Sequence, residues 1–226
     1  MPELAHTYPA VQGKGAPCYG GCQTHMSQKA LRHCGCGLVC ALDLMIYLHR
    51  HRPGCATPFL VTDTPDDPIT AAEYEARITH LRRRWLPILY PLGTSGWAIA
   101  WGMNRYFKKF GLPLCARWGV KWESLFDTVA ALLQKDLPVV LAVGQNFPFP
   151  WRKHRLTLYA LSADGQYRPA SHARAHFVNV TAIDGQWMKV SSWGRAYFIS
   201  REEYRQYTMR HSCRLFCNIL YLKEEN

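Results

Sequence analysis

Acidic residues are scarce in this chain of 226 residues: 16 Asp and Glu stand against 27 Lys and Arg, a net charge of +11 with histidine neutral. That excess suits anionic or acidic partners, with Arg82-Arg83-Arg84 and Trp151-Arg152-Lys153-His154-Arg155 as the densest runs, although such runs commonly form solvated faces. No nucleic-acid-binding signature accompanies them, so no nucleic-acid partner is expected. Long apolar runs are missing too. No stretch reaches bilayer-spanning length, and Met1-Pro2-Glu3-Leu4-Ala5-His6 lacks the basic start and apolar run of a signal peptide. The expectation is a cytoplasmic protein with no membrane span. No polar linker divides the chain, so residues 1–226 read as a single domain, with 1–17 a loose arm of Gly, Pro and polar residues. Paired Cys-x-x-Cys knuckles are absent. Nine cysteines without secretory context therefore argue for free thiols or a metal site over a disulfide framework.

What is present is organised around His33-Cys34-Gly35-Cys36-Gly37-Leu38-Val39-Cys40-Ala41-Leu42-Asp43-Leu44-Met45-Ile46-Tyr47-Leu48. From Leu38 to Leu48 only Cys40, Asp43 and the Tyr47 hydroxyl interrupt the apolar run, so the segment predicts a helix buried on most of its circumference. Cys-Gly-Cys-Gly frees the backbone at its start, and Arg50-His51-Arg52-Pro53-Gly54 ends it with basic residues and breakers. A cysteine in the first turn of such a helix faces unpaired N–H groups and the positive end of the helix dipole, which favour thiolate.

Upstream, Cys18-Tyr19-Gly20-Gly21-Cys22-Gln23 carries paired glycines, which imply a tight turn or close backbone approach. The same region supports a rival reading, in which Cys18, Cys22, His25, Cys34, Cys36 and Cys40 hold a structural zinc, but the spacing is irregular and no cofactor is expected. Downstream, Thr62 to Pro68 reads as a surface loop. Thr70-Ala71-Ala72-Glu73 has capping-box form and opens a helix through Ile78, Leu81 and Trp85. A further helix carries Trp97, Trp101, Tyr106, Phe107 and Phe110 to Gly111-Leu112-Pro113, and its aromatic stripe reads as packing. A fourth runs from Trp122 to Gln134. From Leu137 the pattern becomes strands: 138–143, 155–161, 176–183, 186–190, 196–199 and 215–221, with Asp164-Gly165 and Asp184-Gly185 as turns. Helices followed by an antiparallel sheet define an α+β fold.

Cys36-Gly37-Leu38-Val39-Cys40-Ala41 resembles the Cys-Gly-x-Ala-Cys-Leu signature of the bacteriocin-leader-processing (double-glycine) peptidases, bacterial members of the papain-like cysteine peptidases. The resemblance implies Cys36 as nucleophile, with Cys34 as second choice. It also implies an upstream glutamine in the oxyanion hole. Gln23 and Gln28 both qualify: Gln28 lies nearer the offset usual in the family, whereas Gln23 sits in the Tyr-Gly-Gly-x-Gln context and is preferred. His176, heading the strand to Ile183, stands where the family places its base, and Val190-Ser191-Ser192-Trp193-Gly194 resembles the Asn-Ser-Trp-Gly motif of the next strand.

By that match Ser191 takes the place of the Asn or Asp that orients the base, and Trp193 packs over the pair. Asp184 is a rival orienter that reads first as a turn. His154, His172 and His211 read as surface. A neutral hydroxyl stabilises imidazolium less than a carboxylate does. The resemblance thus implies a papain-like thiol hydrolase cleaving peptide or amide bonds of a peptide or protein substrate, against the alternatives of a weak or inactive binding module or a transamidase on the same site. The Arg- and His-rich insertions, Pro53 to Pro91 and Phe147 to Ala175, suggest an acidic substrate.

Overall fold

The computed structural model describes residues 1–13, 15–60 and 68–225. The loop expected from Thr62 to Pro68 lies outside the described residues up to Asp67. The fold is α+β, an N-terminal helical part followed by a large antiparallel sheet. Helices α1 (Lys29–Cys34), α2 (Cys36–His51), α3 (Ala71–Arg84) and α4 (Gly96–Phe110) come first. After them come β3 (Leu114–Trp118), α5 (Leu125–Gln134), β4 (Val139–Val143), β5 (Leu156–Leu161) and β6 (Tyr167–Ala173). The chain closes with β7 (His176–Ile183), β8 (Trp187–Ser192), β9 (Arg195–Ser200), α6 (Arg201–His211) and β10 (Ile219–Glu224).

The eight-stranded sheet has the order β3-β10-β4-β7-β8-β9-β5-β6. Alternation along the strands sorts the core into two layers, because successive side chains point to opposite faces. Val139, Leu141, Val143, Val178 and Val180 pack with α5 and α6, whereas Val140, Leu220 and Leu222 pack with α2, α3 and α4. Helix α2 is buried from Gly37 to Leu48, as the predominantly apolar run requires. Each of its fully buried Leu, Ile and Met side chains contributes about 1.5–3 kcal/mol by transfer from water. The Thr70 hydroxyl accepts from the Glu73 N–H and caps α3, but the Glu73 carboxylate turns to Arg77 and leaves the reciprocal half of the box unmade. Gly111, at φ 64°, closes α4 in the left-handed region.

The N-terminal segment is tied down, where composition alone suggested a loose arm. The Pro2 carbonyl accepts from the Ile183 N–H (2.8 Å), and the Leu4 N–H donates to the Thr181 carbonyl (3.0 Å). β1 (Ala10–Val11) then pairs with β2 (Cys18–Tyr19), and Tyr8 and Val11 are buried. Backbone pairing to β7 and two buried side chains outweigh a Gly- and Pro-rich composition. On α4 the packing role holds for the buried Tyr106 and Phe107, whereas Trp97 and Trp101 face solvent.

Candidate active site

Cys36 is the first residue of α2, reached through Gly35, the residue that ends α1. It lines a small pocket with Gln23, Val39, Cys40, Asp43, His176, Phe177, Ser191, Ser192 and Trp193. Three elements far apart in sequence thus converge: the Tyr-Gly-Gly loop, the head of α2, and the β7 and β8 ends.

The loop is held by a buried carboxylate. Asp43 lies two turns along α2 from Cys36 and accepts from the Gly21 N–H (2.9 and 3.2 Å) and from the Tyr74 hydroxyl (2.7 Å), with the Tyr8 hydroxyl at 3.5 Å. The Asn179 amide donates to Tyr8 (2.6 Å) and to the Cys40 carbonyl (3.0 Å), linking β7 to α2. The glycine pair is demanded by close approach. A Cβ on Gly20, at φ 76°, would lie 2.4 Å from Ser191 Oγ, and one on Gly21 would lie 2.1 Å from the Tyr74 hydroxyl. This network beneath the pocket was not anticipated. Its signal was Asp43 itself, an acid within a run otherwise apolar, which is rarely buried without partners.

The loop delivers Gln23, which is buried in the pocket with its side-chain amide donating one N–H to the Arg32 carbonyl (3.1 Å). Gln28 is elsewhere: its amide donates to Thr79 and accepts from Arg82, joining α1 to α3. Cys34 does not line the pocket, and its thiol donates to the Pro91 carbonyl (3.3 Å). Of the alternatives, the pocket brings together Cys36 and Gln23 and leaves out Cys34 and Gln28.

His176 opens β7 just after Ala175, which sits at φ 49°. Its Nε2 lies 2.8 Å from Ser192 Oγ, and its ring stacks on Trp193 (centroids 4.3 Å apart, planes at 18°). The residue expected to orient it was Ser191. Register explains the difference: Asn179 pairs with Ser191 and Val180 with Val190, so Ser191 shares the α2 face with Asn179, and Ser192 shares the opposite face with His176, one diagonal step away. Ser191 donates instead to the Tyr19 carbonyl (2.8 Å) and anchors the glycine loop. Trp193 stacks as expected. With Gly194 it forms the two-residue turn between Ser192 and Arg195, both at positive φ (49° and 75°). A tryptophan in a left-handed turn position costs about 1 kcal/mol or more, and the stack against His176 accounts for its presence there. Asp184 is a turn residue, accepting from the Gln186 and Trp187 N–H groups (2.7 and 2.6 Å).

The two serines are separable by experiment. Ser191→Ala is expected to cost about 1 kcal/mol of stability in urea unfolding through the lost anchor, with His176 titration unchanged. Ser192→Ala should also cost about 1 kcal/mol or more, because it leaves the buried imidazole N–H without its acceptor, but it alone should shift the His176 ring resonances in an NMR pH titration. If Ser191→Ala moves those resonances and Ser192→Ala does not, the assignment of the partner is wrong.

Burial dominates the electrostatics. It lowers the His176 imidazole to about 4 and raises the Cys36 thiol above its usual range, while the N–H groups of Phe177, Gly37 and Cys36 itself pull the thiol down. Both shifts favour the uncharged forms, a protonated thiol and a neutral imidazole lining the same pocket. The helix terminus that favours thiolate in the sequence does act here, but the packing around it acts more strongly. Asp43 is raised to about 7 by burial, against the donors of Tyr74, Gly21 and Tyr8.

Beside His176 a wider groove of about 410 Å³ runs between the α4 start and the ends of β4 and β7. Leu89, Leu92, Trp97, Trp118, Phe177 and Phe216 line it, and among the described residues His176 is its only titratable side chain. Among the described residues no three His, Cys, Asp or Glu side chains gather to hold a metal ion, so the zinc reading finds no ligand set. No helix among them is long and apolar enough to cross a membrane. Comparison with family models, curated proteins and solved structures found no match for this chain.

Proposed function

We propose that the protein is a papain-like thiol hydrolase that cleaves peptide or amide bonds through an acyl-enzyme on Cys36. The observation that carries this reading is the joining, in one pocket, of a helix-head thiol, a histidine and a buried glutamine, with the histidine's Nε2 already engaged by Ser192. Nε2–H donating to Ser192 leaves Nδ1 as the free base. Nδ1 takes the Sγ proton as sulfur attacks the carbonyl carbon. The second N–H of the Gln23 amide and the backbone N–H groups at the head of α2 meet the oxyanion. The imidazolium then protonates the leaving amine; a water, deprotonated by Nδ1, attacks the thioester carbon, and the imidazolium returns that proton to Sγ as the carboxylic acid leaves.

Because the pair rests neutral, proton transfer accompanies attack rather than preceding it. Ser192 offers the imidazolium a neutral acceptor, which supports slower turnover than a carboxylate would. The groove beside His176 suits an apolar side chain next to the scissile bond, and the acidic substrate suggested by net charge has no counterpart among its lining residues.

The test is covalent trapping. A peptidyl vinyl sulfone with a large apolar side chain adjacent to the warhead is expected to add one equivalent to Cys36, read by peptide mass spectrometry. It should add at least ten times faster than its glutamate counterpart and should not react with the Cys36→Ala variant. Labelling of several cysteines without preference, or none at Cys36, favours a non-catalytic binding module, the second reading that the neutral Ser192 partner supports.

A further inference from the structure

Between Glu75 and Glu123 the chain contains no Asp or Glu, and this stretch leaves several large apolar side chains exposed among its cations. Leu89 and Gly93 exchange backbone hydrogen bonds (2.8 and 3.0 Å), lifting a short loop whose Leu89 and Leu92 are 69% and 88% exposed. Trp101 of α4 is 58% exposed one turn beyond Trp97, and the helix continues along the same side to Arg105 and Lys108. Cations surround the apolar groups. Arg105 lies 4.7 Å over Trp101, and Lys29 5.9 Å from Tyr90.

We propose that this face docks on bilayers containing anionic lipid. Leu89, Tyr90, Leu92 and Trp101 stand 51–88% exposed at or beyond the rim of the groove, so they fit a surface that yields around them, and Trp and Tyr are the residues that settle at the headgroup level. Lys and Arg beside them, with no acid in the same stretch, complement a negative surface and contribute attraction that falls off within a Debye length. Leu89, Leu92 and Trp97 also border the groove that opens on His176, so docking would turn that opening toward the lipid. The docking proposal stands whether or not Cys36 is catalytic.

The experiment is co-sedimentation of the full chain with vesicles of phosphatidylcholine alone or mixed with phosphatidylglycerol, with tryptophan emission recorded in parallel. Binding to the mixed vesicles, a blue shift of emission and release by high salt are expected. Arg105→Glu should weaken partitioning about thirtyfold by reversing one charge at the surface. Trp101→Ala should weaken it separately and reduce the blue shift, and both variants carry changes at exposed positions whose folding circular dichroism can verify. Equal binding to neutral vesicles, no binding to either, or partitioning unchanged in both variants overturns the proposal. So does a nucleic-acid oligomer that binds in their place and is lost with the same two substitutions.

Discussion

Cys36→Ala is expected to abolish turnover of an apolar peptide substrate, and His176→Ala to lower kcat about 10²- to 10⁴-fold, with the fold of both retained. The magnitudes are those of removing a nucleophile and a general base. The pH profile tests the proposed mechanism more sharply. Burial holds His176 near 4, so the base is unprotonated over most of the acidic range, and kcat/KM should persist well below the pH at which a free imidazole is charged. Alkylation of Cys36 by iodoacetamide should, by contrast, rise with pH through and beyond the free-thiol range, because burial pushes that thiol up. The two experiments together discriminate between concerted proton transfer and a preformed ion pair. Fast alkylation of Cys36 on a plateau below neutral pH, lost in His176→Ala, would show that the pair rests as thiolate and imidazolium and would sink the neutral-pair account.

Much of this architecture was legible because burial leaves a pattern. Helix α2 could be read from its long apolar run, α3 and α4 from Thr70 and from Gly111, and the strands from Val139 onward from their β-branched runs and Asp-Gly turns. Elements with no apolar period escaped. Helix α6 turns Tyr204, Tyr207 and Thr208 inward, polar-tipped side chains that blur the moment, and only its Ser200 cap, accepting from the Glu203 N–H, marked it. β6 is a polar edge strand whose Pro169 sits at a bulge, where the ladder needs no donor.

The site divides in the same way. Cys36, His176 and Gln23 could be named because chemistry restricts residue type. The partner of His176 could not, since choosing between Ser191 and Ser192 requires the β7–β8 register, and one residue of slip reverses every face. The Tyr8, Asp43, Tyr74 and Asn179 network was hidden for a related reason: its members come from four distant segments, and only the fold brings them together.

Two buried groups should oppose each other in the dependence of stability on pH. Asp43 titrates near 7 in the folded protein and its unfolded carboxyl near 4, so between those values the folded state holds a proton that the unfolded chain has released. Its contribution is therefore complete at low pH and is lost as pH rises toward 7. His176 behaves in the reverse sense. Its folded imidazole titrates near 4 and its unfolded one near 6.5, so the unfolded chain takes the proton first and stability is lost as pH falls from 6.5 to 4. Each span corresponds to roughly 3–4 kcal/mol at about 1.4 kcal/mol per unit, so over most of this range the two slopes nearly cancel in the wild type. Asp43→Asn removes one of them. Apart from a constant offset for its altered hydrogen bonds, the variant should lose about 3 kcal/mol relative to wild type between pH 6.5 and 4, measured as the difference between urea unfolding free energies so that other titrating groups drop out. His176→Gln should do the converse, losing stability relative to wild type as pH rises from 4 to 7. Difference curves that stay level for both variants would mean that neither group is desolvated in the folded state. The neutral resting pair beneath the catalytic proposal would then lose its physical basis, because the same exclusion of water that lowers His176 is what keeps the Cys36 thiol protonated.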